Sequence, residues 1–178
     1  VPLDKYTKPI SQVNLPYTSR APPKTVKFVF LHQNGLLSSA YNILSQIEEF
    51  LPVKISQVLS LPLEQFNLLT NAKGQYLVDD LYGIAQDIKR NSWEDVVFLL
   101  TDVDITGLRD EHRLNYLFAR TYLRENITVM STYRFSSQNT SLFQTRVLKN
   151  AIHELGHIFK LGHCNNSGCV IQFSPDVE

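Results

Sequence analysis

The chain has 178 residues, which suits one domain with a sizeable core. Seventeen Lys and Arg balance seventeen Asp and Glu, so no overall field draws it to nucleic acid or to an anionic membrane. Its longest apolar runs, such as VVFLL (96–100), have the length of a strand and fall far short of a bilayer span.

Residues 1–24 read as a proline-rich extended arm, with five of the eight prolines in 1–23 and polar residues between them. No apolar stretch marks a signal peptide there, and a start at Val1 rather than Met is what a trimmed chain would show. Two cysteines, Cys164 and Cys169, are too few for a disulfide-built secreted scaffold, so a cytoplasmic protein is expected. Asn126, Asn139 and Asn165 each open a glycosylation-type triplet, read here as accidents of composition.

Residues 25–178 are expected to form one α/β domain. TVKFVFL (25–31) is β-branched and aromatic, hence a strand. LSSAYNILSQIEEFL (37–51) has helical spacing of Ala40, Ile43, Leu44 and Ile47 behind its serines. VKISQV (53–58) reads as a short strand. GQYLVDDLYGIAQDIKRN (74–91) is a second helix, with Leu77, Leu81, Ile84, Ala85 and Ile88 on one face. DVVFLLTDVDI (95–105) is apolar at its centre on alternate and intervening positions alike, as a strand buried on both faces must be. LNYLFARTYL (114–123) and NITVMSTYRF (126–135) are further strand candidates, and SLFQTRVLKNAIHELGHIF (141–159) closes the series as a helix. Alternating strands and helices, then clustered strands, indicate one mixed sheet with no repeats and no second domain.

Three of the chain's five histidines fall in HELGHIFKLGHC (153–164). Residues four apart share a helix face, so His153 and His157 point the same way and can share one cation. His163 follows past the helix, where Gly162 can let the chain double back. Three neutral nitrogens and one open position are the arrangement of a catalytic zinc site. Glu154 would reach a zinc-bound water rather than the metal and take its proton as it attacks a peptide carbonyl. A chain of this composition would match the four-residue pattern by accident about twice in ten thousand. The opposite face of the helix, Leu148, Ile152, Leu155 and Phe159, is a core stripe. No glutamate suited to be a third ligand follows on a later helix, since only Glu178 remains.

HELGHIFKLGHC with CVIQFS (169–174) resembles the archaemetzincins, a branch of the metzincin zinc peptidases. KGQYLVDDL, FLLTDVDI, NYLFA and FQTRVLKNAIHELGH resemble segments of that family in the same order, covering about residues 25–175. The resemblance implies a metzincin-like domain with a mixed, mostly parallel sheet of about five strands and an antiparallel edge strand. It also implies an active-site helix beneath the sheet and a small C-terminal part under the zinc. By position, His153, His157 and His163 would be zinc ligands and Glu154 the general base. Cys164 and Cys169 would be two of four thiolates on a second, structural zinc; as residues alone they could equally be free thiols or a local disulfide.

Three departures stand out. Lys160 occupies the place of a family glycine at the end of the zinc helix, where either Lys160 turns left-handed or Gly162 takes the bend. Ile171 replaces the methionine that underlies the metal. The chain ends before the second cysteine pair of the family.

Other residues are read more plainly. Asp102 and Asp104 leave the buried strand at alternate positions and either face one cleft or hydrogen-bond their own turn. Arg146 and Lys149 are expected to be solvated or paired with acids. The strand at 114–123 is expected to be a sheet edge on which an extended peptide can pair. The expected function is a zinc metalloendopeptidase or aminopeptidase-like hydrolase acting on peptides or proteins, with no nucleic-acid or membrane partner and an oligomeric state left open. The alternative is a zinc-stabilised protein that binds peptides or a partner without cleaving them.

Overall fold

The structure is a computed structural model that describes residues 22–35, 41–109 and 111–173. The arm read over residues 1–24 and the helix position Ala40 therefore lie wholly or mostly outside the described residues.

Strand β1 (Lys24–His32) is followed by helix α1 (Leu44–Phe50), strand β2 (Val53–Pro62) and a short β3 (Tyr76–Leu77) that runs into helix α2 (Val78–Arg90). Strand β4 (Val96–Thr101) leads to three two-residue strands, β5 (Ile105–Thr106), β6 (Leu108–Arg109) and β7 (His112–Arg113). Strands β8 (Ala119–Tyr122) and β9 (Ile127–Ser131) come next, and helix α3 (Thr140–Ile158) follows. The main sheet has the order β2-β1-β4-β9-β8. Its first four strands are parallel and β8 runs antiparallel along the outer edge of β9. The expected five-stranded mixed sheet with an antiparallel edge is what forms.

Two hydrophobic layers follow from the period-two alternation of the strands. Val26, Phe28 and Phe30 of β1, with Val96, Phe98 and Leu100 of β4, face α1 and α3. Val29 and Leu31, with Val97 and Leu99, face α2 on the other side. Every residue of β4 is buried, as its unbroken apolar run requires. The Phe28 and Phe98 rings stack with centroids 4.6 Å apart across the β1–β4 pair.

Several elements differ in extent from the sequence reading. β2 is ten residues long rather than six, because parallel pairing with β1 continues through Leu59–Pro62. Of the segment 114–123 only Ala119–Tyr122 pairs with β9; Leu117 makes an isolated bridge to Ile105 instead. The segment 126–135 ends as a strand at Ser131 and finishes in a 3₁₀ turn, Tyr133–Phe135. Nothing in the sequence marks the β5–β7 region, whose two-residue strands are too short to leave a periodic pattern.

The acidic pair after β4 is divided between two structural tasks. Asp102 accepts the backbone N–H groups of Gln33 (2.8 Å) and Asn34 (3.1 Å), closing the turn after β1 rather than its own. Asp104 takes a two-pronged contact from Arg134 (Nε 2.9 Å, Nη2 2.7 Å) and another from Gln75 Nε2 (3.0 Å). Neither carboxylate joins the histidines, so the reading in which both face one cleft is not met. Arg146 is half-buried, with Nη1 3.5 Å from the carbonyl oxygen of Phe135, and among the described residues it pairs with no acid.

Candidate metal centre

Asn139 starts α3 by accepting the N–H of Leu142 on its side chain (3.1 Å), a standard way to satisfy a free donor at a helix start. The triplet that looked like a glycosylation signal is thus a helix cap. Val147, Leu148, Ala151, Ile152, Leu155 and Ile158 turn into the core, leaving His153 and His157 on the far side. Glu154 lies between the two faces and is only 8% exposed.

The helix ends at Lys160, which has φ +63°, whereas Gly162 is not among the positive-φ residues. The N–H of Lys160 bonds to the carbonyl of His157 (2.8 Å) and that of Leu161 to the carbonyl of Gly156 (3.1 Å). This pair of bonds is a Schellman ending, which wants a left-handed residue at the position of Lys160. Lysine takes the turn of the family glycine, and Gly162 is not needed for it.

Two backbone carbonyls aim the first two histidines. His153 Nδ1 lies 2.9 Å from the Val170 carbonyl oxygen, and His157 Nδ1 lies 2.8 Å from that of Leu161. A carbonyl oxygen only accepts, so each Nδ1 must carry the proton and each Nε2 a lone pair. The two Nε2 atoms are 3.1 Å apart. With a lone pair on both, that contact is no hydrogen bond. Two zinc ligands at tetrahedral angles and ~2.0–2.1 Å from the metal would be about 3.3 Å apart. His163 completes the trio, its ligand atom within 4.8 Å of the others. Partial desolvation, then the neighbouring His157 and His153, holds His163 below the ordinary histidine pKa, which favours a neutral ring. The donor set and its spacing fit zinc.

Glu154 has a partner the sequence did not disclose. The Thr121 hydroxyl of β8 donates to Glu154 Oε2 at 2.6 Å, and Thr121 Oγ1 lies 2.9 Å from Thr128 Oγ1 of β9. Burial raises the pKa of Glu154, with the Thr121 hydrogen bond and then His157 and His163 opposing. No spacing rule ties a strand threonine to a helix carboxylate about thirty residues on; only the register of β8 on β9 brings them together.

The segment after α3 forms the floor. Ile171 is buried, its side chain lies against Gly156, and its carbonyl accepts the N–H of Cys164 (3.2 Å). Phe173 packs beside His163 with ring centroids 5.3 Å apart, and the Arg109 guanidinium sits 5.9 Å from the same Phe173 ring. Cys164 and Cys169 are unbridged, so the local disulfide is not what forms. The backbone N–H of Asn166, then the contact with Cys169, lowers the Cys164 pKa, whereas burial raises that of Cys169. Among the described residues no third metal-binding side chain converges with the two thiols.

Comparison with known proteins identifies a family for the chain. The model of peptidase family M54 matches residues 37–178. An archaemetzincin from Haloquadratum walsbyi is 42% identical over 75 residues, which is 37% of this chain and 43% of the relative. The chain thus spans under half of that relative's length. An archaemetzincin from Pyrococcus horikoshii is 28% identical over 153 residues, covering 78% of this chain and 79% of the relative. The crystal structure of the Methanopyrus kandleri archaemetzincin superimposes with a TM-score of 0.71 at 27% identity, over 90% of this chain and 87% of that one. The chain belongs to peptidase family M54, the archaemetzincins.

Proposed function

We propose that this chain is a zinc-dependent peptidase in which His153, His157 and His163 hold the metal and Glu154 is the general base. The observation that carries the reading is the convergence of the two Nε2 lone pairs, each fixed by a carbonyl behind its ring, beside a buried carboxylate. Zinc bound there supplies Lewis acidity, polarising a peptide carbonyl and easing the deprotonation of water. Glu154 accepts the proton of the attacking water and returns it to the leaving amine. Its raised pKa suits both halves of that task.

The edge strand supports a peptide as substrate. β8 is outermost in the sheet, so its outer backbone groups can pair with an extended chain, and the Thr121 side chain marks its proximity to Glu154. Cys164 and Cys169 supply two ligands toward a second, structural zinc, which requires two more from elsewhere. Among the described residues no helix is long and apolar enough to cross a membrane.

Zinc-loaded wild type and Glu154→Gln, assayed on a quenched fluorogenic peptide library, test the proposal. Cleavage by the wild type and its loss in Glu154→Gln, with the zinc content equal, is the expected result. No cleavage by the zinc-loaded wild type would favour instead a zinc-stabilised protein that binds peptides without cutting them, and equal cleavage by both proteins would remove Glu154 as the base.

A further inference from the structure

We propose that Thr121, backed by Thr128, is a positioning residue that holds the Glu154 carboxylate in its working orientation; this rests on the reading of Glu154 as the base. Thr121 has a single hydroxyl proton, and at 2.6 Å from Oε2 that proton goes to Glu154. The 2.9 Å contact between the two threonines must then be donated by Thr128. The chain of hydroxyls therefore has one polarity, Thr128 to Thr121 to Glu154. Thr128 is fully buried, so its orientation is not open to exchange with bulk water.

The strand register makes this arrangement rigid. Thr121 and Thr128 are directly opposed on β8 and β9, on the face that Ala119 and Met130 share and that packs on α3. One carboxylate oxygen is thereby claimed, while Oε1 accepts no hydrogen bond among the described residues and is the oxygen left for water. A glutamate has three side-chain torsions, and holding one oxygen removes the freedom of the other.

The experiment compares crystal structures, zinc content and kinetics of zinc-loaded wild type, Thr121→Val, Thr121→Ser and Thr128→Val. In Thr121→Val the carboxylate of Glu154 should leave its position while the zinc content is kept. On whichever library peptide the wild type cleaves, kcat should fall about 10- to 100-fold with KM little changed, as expected for the loss of a hydrogen bond to a charged group. Thr121→Ser should restore both position and rate, because it returns the hydroxyl without the methyl. Thr128→Val should cost less and should add nothing once Thr121 is valine, since it acts only through Thr121. An unmoved carboxylate in Thr121→Val, or no rescue by serine, overturns the proposal. A wild type that cleaves no peptide, with the carboxylate displaced in Thr121→Val, would instead sink the peptidase reading and leave the positioning role standing.

Discussion

A Cβ added to Gly156 would come within 2.4 Å of Ile171 Cδ1. Helix α3 and the floor beneath it therefore touch at Gly156, where a Cβ would require the Ile171 Cδ1 methyl to shift. The same floor carries the Val170 carbonyl that aims His153, so packing and metal binding are tied through two adjacent residues. Gly156→Ala is expected to turn the Ile171 Cδ1 methyl away and destabilise the fold by about 1 kcal/mol, the low end of overpacking because the clash is with a side-chain tip. It should weaken zinc binding as far as the Ile171 backbone shifts and carries the Val170 carbonyl with it. Urea unfolding and competitive zinc titration measure the two effects; a variant with unchanged zinc affinity would show that Val170 does not depend on this contact.

At Lys160 the outcome can have either sign for two opposed reasons. Its left-handed conformation costs roughly 1 kcal/mol relative to glycine because of the Cβ. Glycine at the same site would widen the unfolded ensemble, which takes part of that gain back. Because the observed φ of +63° is one that glycine adopts freely, the strain term should win. Lys160→Gly is expected to raise stability by a few tenths to about 1 kcal/mol, with zinc content unchanged. Thermal unfolding of the zinc-loaded proteins checks this, and a lower Tm in the variant would show that the lysine turn is unstrained.

Much of this fold was legible because its chemistry is periodic. β1, β4 and α3 announce themselves by apolar runs and by a stripe, and His153 and His157 by spacing that a helix converts into proximity. What stayed hidden depends on register. Thr121 meets Glu154 only once β8 is set antiparallel on β9, and the carbonyls of Val170 and Leu161 belong to backbone whose side chains say nothing of their role. Asp102 and Asp104 misled for the same reason. Their partners, the amides after β1 and Arg134, come from distant segments.

Metal removal should be visible in stability as well as activity. A ligand that binds only the folded state stabilises it by an amount set by its concentration over its Kd, about 4 kcal/mol at a thousandfold excess. A chelator should lower the Tm of the wild type, and one equivalent of zinc should restore it. His163→Ala keeps the fold's buried contacts, because His163 is exposed, and should abolish the zinc-dependent part of the Tm. If His163→Ala retains the full zinc-dependent shift, the metal is not held by this trio.

The last prediction concerns the far end of the sheet, where Lys27 and Glu94 form an almost fully buried ion pair (Nζ to Oε2, 3.3 Å). Lys27 also donates to Ser92 Oγ (2.6 Å), and Ser56 Oγ donates to Glu94 Oε1 (3.0 Å). Beside them Lys89 Nζ donates to the Glu94 carbonyl (2.6 Å). Burial by itself raises the pKa of Glu94. The hydrogen bonds from its own backbone, Ser56 and Lys27, with the charge of Lys27, outweigh this and leave it lowered. Asp95 is lowered as well, first by the backbone N–H of Thr25. A carboxyl whose folded pKa lies below its unfolded value binds fewer protons when folded. Its contribution is full above the unfolded carboxylate range and is lost as pH falls through the folded value. Acid should therefore loosen the start of β1 and β4 as pH falls through and below the ordinary carboxylate range. Removing one partner of a buried pair leaves the other charge uncompensated, so Glu94→Ala should cost about 3–5 kcal/mol at neutral pH. Glu94→Gln keeps the shape without the titration, so its stability should fall less steeply than that of the wild type between pH 6 and 3, a range set at about the ordinary carboxylate pKa. Urea unfolding across that range compares the slopes, and parallel curves would assign the acid sensitivity to other groups.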